Sequence, residues 1–219
     1  MSQFAALFEA PLWLSGSHSC VNRMPVQNSG PKVMTSMIKR RPDVKRVAEF
    51  SKGDECPITI RPAVKSDLKT INDIYNRYVL HSTCTYQEEP EPLKGRQNWF
   101  AHHGPKHPIT VALEKNRVVG WGSLSAYHAR SAYRRTVENS VYVHYQHHRR
   151  GIGSLLLEDL IRRARKAGHR AIIAAIDADQ PASVALHSKF DFKHVGRFKQ
   201  VGFKFGRWLD VVYMELLLT

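Results

Sequence analysis

The 219-residue chain predicts an α/β domain over residues 58–219, a mixed sheet with helices on both faces, behind an extension over residues 1–57. Three stretches carry that prediction. Thr136–Val143 alternates as a strand must, with Val137, Val141 and Val143 on one face and Glu138, Ser140 and Tyr142 on the other. The stretch from Leu155 to Ala167 places Leu155, Leu156, Leu160, Ile161 and Ala164 at helical spacing, with Gly168 suited to the position just past its end. Ala171–Ile176 is a short apolar run, most simply a buried strand parallel to the first and reached by a right-handed helical crossover.

The remaining elements follow in order. Ile58–Pro62 opens the domain as a short strand, and Ser66 or Asp67 can cap a helix running to about Leu80. Leu68, Ile71, Ile74, Tyr75 and Tyr78 form the apolar stripe of that helix. Thr83–Pro92 is an acidic, proline-flanked loop, and Leu93–His102 is a second short helix. Ile109–Glu114 and Arg117–Ala126 are strands about a Lys115-Asn116 turn. Ala182–Lys189 is a short helix, and His194–Phe205 with Trp208–Leu217 close the chain as a long hairpin turning at Gly206-Arg207. Helices and strands in this order make a layered α/β domain.

Charge and cysteine usage bound the function. The net charge is +14, and residues 1–57 hold only eight Lys/Arg against five Asp/Glu, so most of the excess lies in the domain. Such a domain favours polyanions, whether nucleic acid, an anionic membrane or a polyphosphate cofactor. No apolar run reaches the ~18 residues of a membrane span. Cys20, Cys56 and Cys84 lie far apart and read as reduced thiols, which points to an intracellular and most simply cytoplasmic protein. No metal site is expected, because the pairs His102-His103 and His147-His148 are adjacent and their side chains diverge. Residues 1–57 lack sustained periodicity and read as a weakly structured extension. Their acid-poor, Ser- and Arg-bearing start leaves organellar import as the alternative.

The chemistry centres on residues 136–154. Arg149, Arg150, Gly151 and Gly153 stand just before a helix, where glycines let backbone N–H groups approach a phosphate and the helix start adds partial positive charge. Glu138, one strand-length earlier, places a carboxylate beside that cradle. The pattern suggests an acid–base site next to a phosphorylated cofactor.

These residues carry a resemblance. Ile60-Arg-Pro62, Ile74-Tyr-Asn76, Thr136-Val-Glu-Asn-Ser-Val-Tyr-Val143, Arg150-Gly-Ile-Gly153, Ala182-Ser-Val-Ala-Leu-His187 and Val201–Asp210 occur in order and at compatible spacing. The domain so marked resembles the GNAT superfamily of N-acetyltransferases, and within it the branch acting on phosphinothricin and on methionine sulfoximine or sulfone. Three positions depart from the pattern. His148 stands for the usual Gln or Arg, Gln180 for an Asn, and Asp191 for a Gly.

The resemblance implies the GNAT fold, with a mostly antiparallel twisted sheet, and acetyl-CoA as acetyl donor. It assigns the phosphates to the backbone of Arg149, Arg150, Gly151, Ile152, Gly153 and Ser154, helped by His148, and the pantetheine to Val141, Tyr142 and Val143. Gln180 and Ser183 complete the cofactor set. Glu138 would take the proton of an acceptor amine, whereas its plainer role is an ion pair with Arg134 or Arg135. His187 would return a proton to the CoA thiolate, or else serve as an ordinary buried histidine. Arg134, Arg135 and Arg207 would grip a carboxylate or phosphinate, and Tyr75, Tyr133 and Trp208 would wall the acceptor pocket. Members of the branch are commonly homodimers, and the closing hairpin suits an interface. The implied activity is acetyl transfer to the α-amino group of a small amino-acid analogue by direct attack in a ternary complex. Its rivals are a weak acyl-CoA sensor, a basic nucleic-acid-binding module, and an acetyltransferase for peptide N-termini or polyamines. No RRM, KH or zinc-finger pattern supports the nucleic-acid reading.

Overall fold

The computed structural model describes residues 57–218. Residues 1–56 of the expected extension, with Cys20 and Cys56, lie outside the described residues. The elements are β1 (Thr59–Pro62), α1 (Leu68–His81), α2 (Leu93–Ala101), β2 (Ile109–Glu114), β3 (Arg117–Ala126), β4 (Thr136–Val143), α3 (Ile152–Lys166), β5 (Ala171–Asp177), α4 (Pro181–Lys189), β6 (Lys193–Lys204) and β7 (Arg207–Leu217). The seven strands form one sheet in the order β1-β2-β3-β4-β5-β7-β6. Only β4 and β5 pair in parallel, as the apolar run and its helical crossover require.

Side-chain alternation sorts the helices on to two faces. On one, Leu68, Ile71, Ile74, Tyr75 and Val79 of α1 pack with Trp99 and Phe100 of α2 against Val111, Leu113 and Trp121. On the other, Leu157, Leu160, Ile161 and Ala164 of α3 pack on Leu124, Val137 and Ile172, with Val184 and Leu186 of α4 and Phe190 just past its end alongside. A fully buried leucine contributes about 1.5–3 kcal/mol, so α3, with Leu156, Leu157 and Leu160 at 0 % exposure, is the main anchor of that face. Gly122 permits the approach, since a Cβ there would meet Leu160 at 2.9 Å.

Backbone chemistry explains the turns. Lys115 (φ 47°) and Asn116 (φ 61°) both take positive φ, the requirement of the two-residue hairpin turn between β2 and β3. The last hairpin turns at Phe205 (φ 51°) and Gly206 (φ 73°), one residue earlier than expected, because Arg207 already belongs to β7. Asp191 adopts φ 66°, the conformation for which glycine is usual. Asp67 does not cap α1 through its side chain. Its carboxylate instead accepts from the Val64 N–H at 2.8 Å and pairs with Arg61 at 2.7 Å. Helix α3 begins at Ile152 rather than Leu155, the glycine turn itself forming the first helical turn.

The feature that positions the site is a parting of two strands. β4 and β5 pair only from Thr136↔Ala171 to Glu138↔Ile173. Beyond that row β4 stays with β3 as far as Val143↔Gly120, and β5 stays with β7 as far as Asp177↔Val211. The Tyr127 N–H donates to Thr136 O, and the His144 N–H to Val119 O. Even-numbered residues of β4 therefore spend their backbone groups on β3, and Val141 and Val143 turn theirs towards the gap, Asn139 lying at the last β4–β5 row.

Candidate active site

The gap opens into a cavity of about 860 Å³ lined by β4, the far half of β5, the start of α4, the loop after α1 and the inner face of α2. Glu138 sits at its edge, the last β4 residue paired with β5. Its side chain shares a face with Ser125, opposite it on β3. Neither Arg134 nor Arg135 forms the plainer ion pair: Arg134 donates to Ser131 O at 3.4 Å, and no salt bridge to Glu138 occurs among the described residues. Burial without a counterion pushes the Glu138 carboxyl above the ordinary carboxylate range. A carboxylate with raised proton affinity, facing a cavity, is what a general base needs.

Across the gap, His187 is 4 % exposed and fully engaged. Its Nδ1 lies 2.8 Å from Ser183 O, an acceptor, so the proton sits there. Its Nε2 then accepts from Asn139 Nδ2 at 2.9 Å. Burial depresses the imidazole's pKa and keeps it neutral. In this state the proton on Nδ1 is held by Ser183 O, and the ring ties α4 to β4. Asn139 Oδ1, by contrast, is buried without a partner, a polar acceptor beside the gap.

The glycine turn forms as expected. Gly151 precedes α3 at φ 76° and supplies no side-chain cap, so the first N–H groups of the helix are left to other acceptors. Ser154 N–H is already spent on Gly151 O at 3.0 Å. Arg149 is exposed at φ 61°. Arg150 is drawn aside by Glu114, with Nη2 at 2.6 Å from Oε1. His148 turns towards α1: its Nε2 lies 2.7 Å from Tyr78 Oη and 3.1 Å from Val143 O. Tyr78 also donates to Val143 O at 2.5 Å. The Val143 carbonyl is thus satisfied by side chains, while its N–H and the backbone groups of Val141 lie past the last β4–β5 pair and have no strand beside them. Tyr142 contributes its ring instead, stacked on Trp121 at 4.8 Å and edge-on to Tyr75 at 5.4 Å, since its backbone faces β3.

The acceptor side differs most from expectation. Tyr75 lines the cavity, its hydroxyl held by Thr85 and Gln87 at 2.9 Å each. Gln180 and Ser183 line it as well, and Gln180 reaches Thr83 Oγ1 at 3.4 Å. Tyr133, Arg134, Arg135, Arg207 and Trp208 do not line it. Tyr133 packs with Tyr127 and His128 on the outer loop. Arg207 pairs with Asp179 at 2.5 Å, and Trp208 is 61 % exposed beside Phe203. The physical reason is the strand: residues just before β4 lie beyond the paired end of the β4–β5 junction, and the hairpin tip projects outward. The cavity wall comes instead from Arg96 and Trp99 of α2 with Trp121 of β3. Arg96, Trp99 and Phe100 recur at helical spacing, so an arginine on the apolar face of α2 was the available signal.

Cys84 is also in the wall, and burial pushes its thiol up to about 11. It is protonated at neutral pH and no nucleophile. The lining therefore provides a base but no covalent relay through this cysteine.

Comparison with known proteins converges on one family. Residues 71–192 match the acetyltransferase (GNAT) family. An L-methionine sulfoximine/L-methionine sulfone acetyltransferase of Pseudomonas aeruginosa is 41 % identical over 164 residues, 73 % of this chain and 94 % of that protein. A phosphinothricin N-acetyltransferase of Streptomyces coelicolor is 38 % identical over 163 residues, 72 % of this chain and 95 % of that one. The crystal structure of a GNAT superfamily phosphinothricin acetyltransferase from Sinorhizobium meliloti in complex with acetyl-CoA superposes with a TM-score of 0.72 at 39 % identity, over 74 % of this chain and 88 % of that one. With the parted strands, the uncapped glycine turn and the unpaired glutamate already in place, these matches make the chain a member of the GNAT acetyltransferase family.

Proposed function

We propose that this protein transfers the acetyl group of acetyl-CoA to the α-amino group of a small amino-acid analogue, of the methionine sulfoximine, methionine sulfone or phosphinothricin type, by direct attack in a ternary complex. The observation that carries the proposal is Glu138, an unpaired, partly buried carboxylate at the mouth of the gap between β4 and β5. Acetyl-CoA supplies the activated acyl group. The residues suit it: free N–H groups about Gly151 and Gly153 for the pyrophosphate, and the backbone of Val141 and Val143 for the amide-bearing arm. The Val143 N–H is also available to stabilise the oxyanion of the addition step.

An amine enters protonated and is not a nucleophile until it loses that proton. Glu138 accepts it, directly or through a water molecule, and its raised proton affinity brings it nearer the operating pH. The Cys84 thiol, held up at about 11 by burial, favours direct attack over an acyl-cysteine route. The Asn139–His187 hydrogen bond ties β4 to α4 beside the gap.

We read the protein as cytoplasmic and dimeric. Cys84 is a free thiol, as a reducing compartment would keep it, and among the described residues no helix is long and apolar enough to cross a membrane. Val195, Phe198, Val201, Phe203, Phe205 and Trp208 are each more than half exposed on β6, β7 and the turn between them, and β6 has an open edge. Such a surface suits a second copy of the chain.

The test is thiol release from acetyl-CoA with a panel of amines. Turnover is expected with methionine sulfone, methionine sulfoximine or phosphinothricin. Release only with polyamines or peptide N-termini would replace the acceptor class, and CoA binding without release from any amine would favour a sensor.

A further inference from the structure

A short hydrogen-bond chain reaches the site from the end of α2. Ser125 stands opposite Glu138 on β3 and lines the same cavity. Residues so paired carry their Cβ atoms about 5 Å apart on one face, close enough for one small group to bond to both side chains. The Ser125 hydroxyl is tied from behind by His103, just past the end of α2, with Oγ 3.2 Å from Nε2. The other ring nitrogen, Nδ1, lies 2.7 Å from Trp99 O, and the imidazole packs on the Trp99 ring at 4.4 Å.

These partners fix both protons. A carbonyl only accepts, so Nδ1 carries the imidazole proton and donates it to Trp99 O. Burial pushes the imidazole down to about 4, so it is neutral at neutral pH and its Nε2 is left as an acceptor. The Ser125 O–H therefore donates to Nε2, and the hydroxyl offers the cavity only its lone pairs. A serine free to turn would instead donate to the Glu138 carboxylate, favouring its charged form and weakening it as a base. No such bond to Glu138 occurs among the described residues, and burial is what raises its proton affinity. An acceptor beside Glu138 is what the reaction needs. Once an ammonium group has passed one proton to the base, the amine keeps two N–H bonds and a lone pair, and the lone pair must face the thioester carbon. An acceptor on one N–H bond orients it, whereas a donor would bond to the lone pair and quench it.

We infer that Ser125, its own proton taken by His103, accepts an N–H bond of the substrate amine beside Glu138, with His103 as the positioning residue behind it. The inference rests on the acetyltransferase reading of the same cavity, with Glu138 as its base.

The test is a double-mutant cycle on the full chain, read as kcat/KM against pH with acetyl-CoA and L-methionine sulfone, or failing it the amine of the panel that turns over. Ser125→Ala is expected to lower kcat/KM about 10-fold, the cost of a lost hydrogen bond to a charged group. His103→Phe keeps a ring against Trp99 and frees the serine proton. It is expected to lower kcat/KM by a similar factor and also to move the acid limb to lower pH by about half a unit or more, because the freed O–H donates to Glu138. In the double variant the loss is expected to stay at that of Ser125→Ala alone, and the limb to return to its position there. Tyr213 of β7, which also feels the Glu138 charge, is raised by burial and stays neutral throughout. Should His103→Phe fail to fold, His103→Asn carries that arm, keeping a donor towards Trp99 O and no acceptor in the place of Nε2. Wild-type kcat/KM in Ser125→Ala, or losses that multiply in the double variant while the limb stays put, overturns the inference and leaves the acetyltransferase reading intact. Thiol release with no amine at all overturns both.

Discussion

At the scale of single residues, Glu138 combines two consequences of one placement. The strand alternation sets its side chain towards the cavity, and the parting of β4 and β5 leaves it no counterion. Its carboxyl therefore titrates above the usual 4.5 in the folded protein. A raised carboxyl contributes stability while it is protonated and loses that contribution as pH rises through its folded value. Glu138→Gln removes the ionisation, so the variant is expected to melt a few degrees above wild type at pH 8, the gap closing towards pH 4. Thermal unfolding across that range checks it, and a variant that melts lower at pH 8 would show that Glu138 has a counterion after all. Glu138 was legible from the sequence because alternation and spacing from the glycine turn both mark it. Arg96 was not, since a lone basic residue in a short helix reads as solvated. Arg134 and Arg135 were not placed by the sequence either: they stand just before β4 and do not line the cavity that Glu138 faces.

At the scale of elements, the strand, glycine turn and helix from Thr136 to Lys166 make the cofactor side. Their bounds were legible to within a few residues, because Gly151 and Gly168 take the positive φ that the pattern of glycines implies. The parting of β4 from β5 was not legible. It depends on where parallel pairing stops, and no local pattern in Ala171–Asp177 marks that row. Gly151→Val and Gly206→Ala separate the cradle from generic turn strain. Both positions have positive φ, at 76° and 73°, with open space around the Cα. Each substitution is expected to cost about 1–2 kcal/mol of stability. Only Gly151→Val is expected to weaken CoA binding as well, by about 10-fold or more, measured by calorimetry. Equal CoA affinity in the two variants would remove the phosphates from this turn.

At the scale of the whole molecule, the net charge of +14 favours polyanions, a polyphosphate cofactor among them, and does not by itself choose one. The exposed aromatic surface of β6 and β7 belongs to the same scale, because the described residues of one chain leave it uncovered. Phe203→Ser combined with Trp208→Ser is expected to shift the protein from dimer to monomer in sedimentation velocity, as both rings are more than half exposed and pack edge-to-face on each other. An unchanged sedimentation coefficient would place any interface elsewhere. The fold class was legible here because every level agreed, from turn residues to the order of elements.

The central claim is that Glu138 draws the proton from the acceptor amine across the gap between β4 and β5. The direct measurement is the pH dependence of kcat/KM for wild type and Glu138→Gln with L-methionine sulfone, alongside CoA affinity. The account predicts an acid limb in wild type that lies above the ordinary carboxylate range. In the variant it predicts at least a ~10²-fold loss, no such limb and unaltered CoA binding. A variant that keeps wild-type turnover, or the same acid limb, would contradict it.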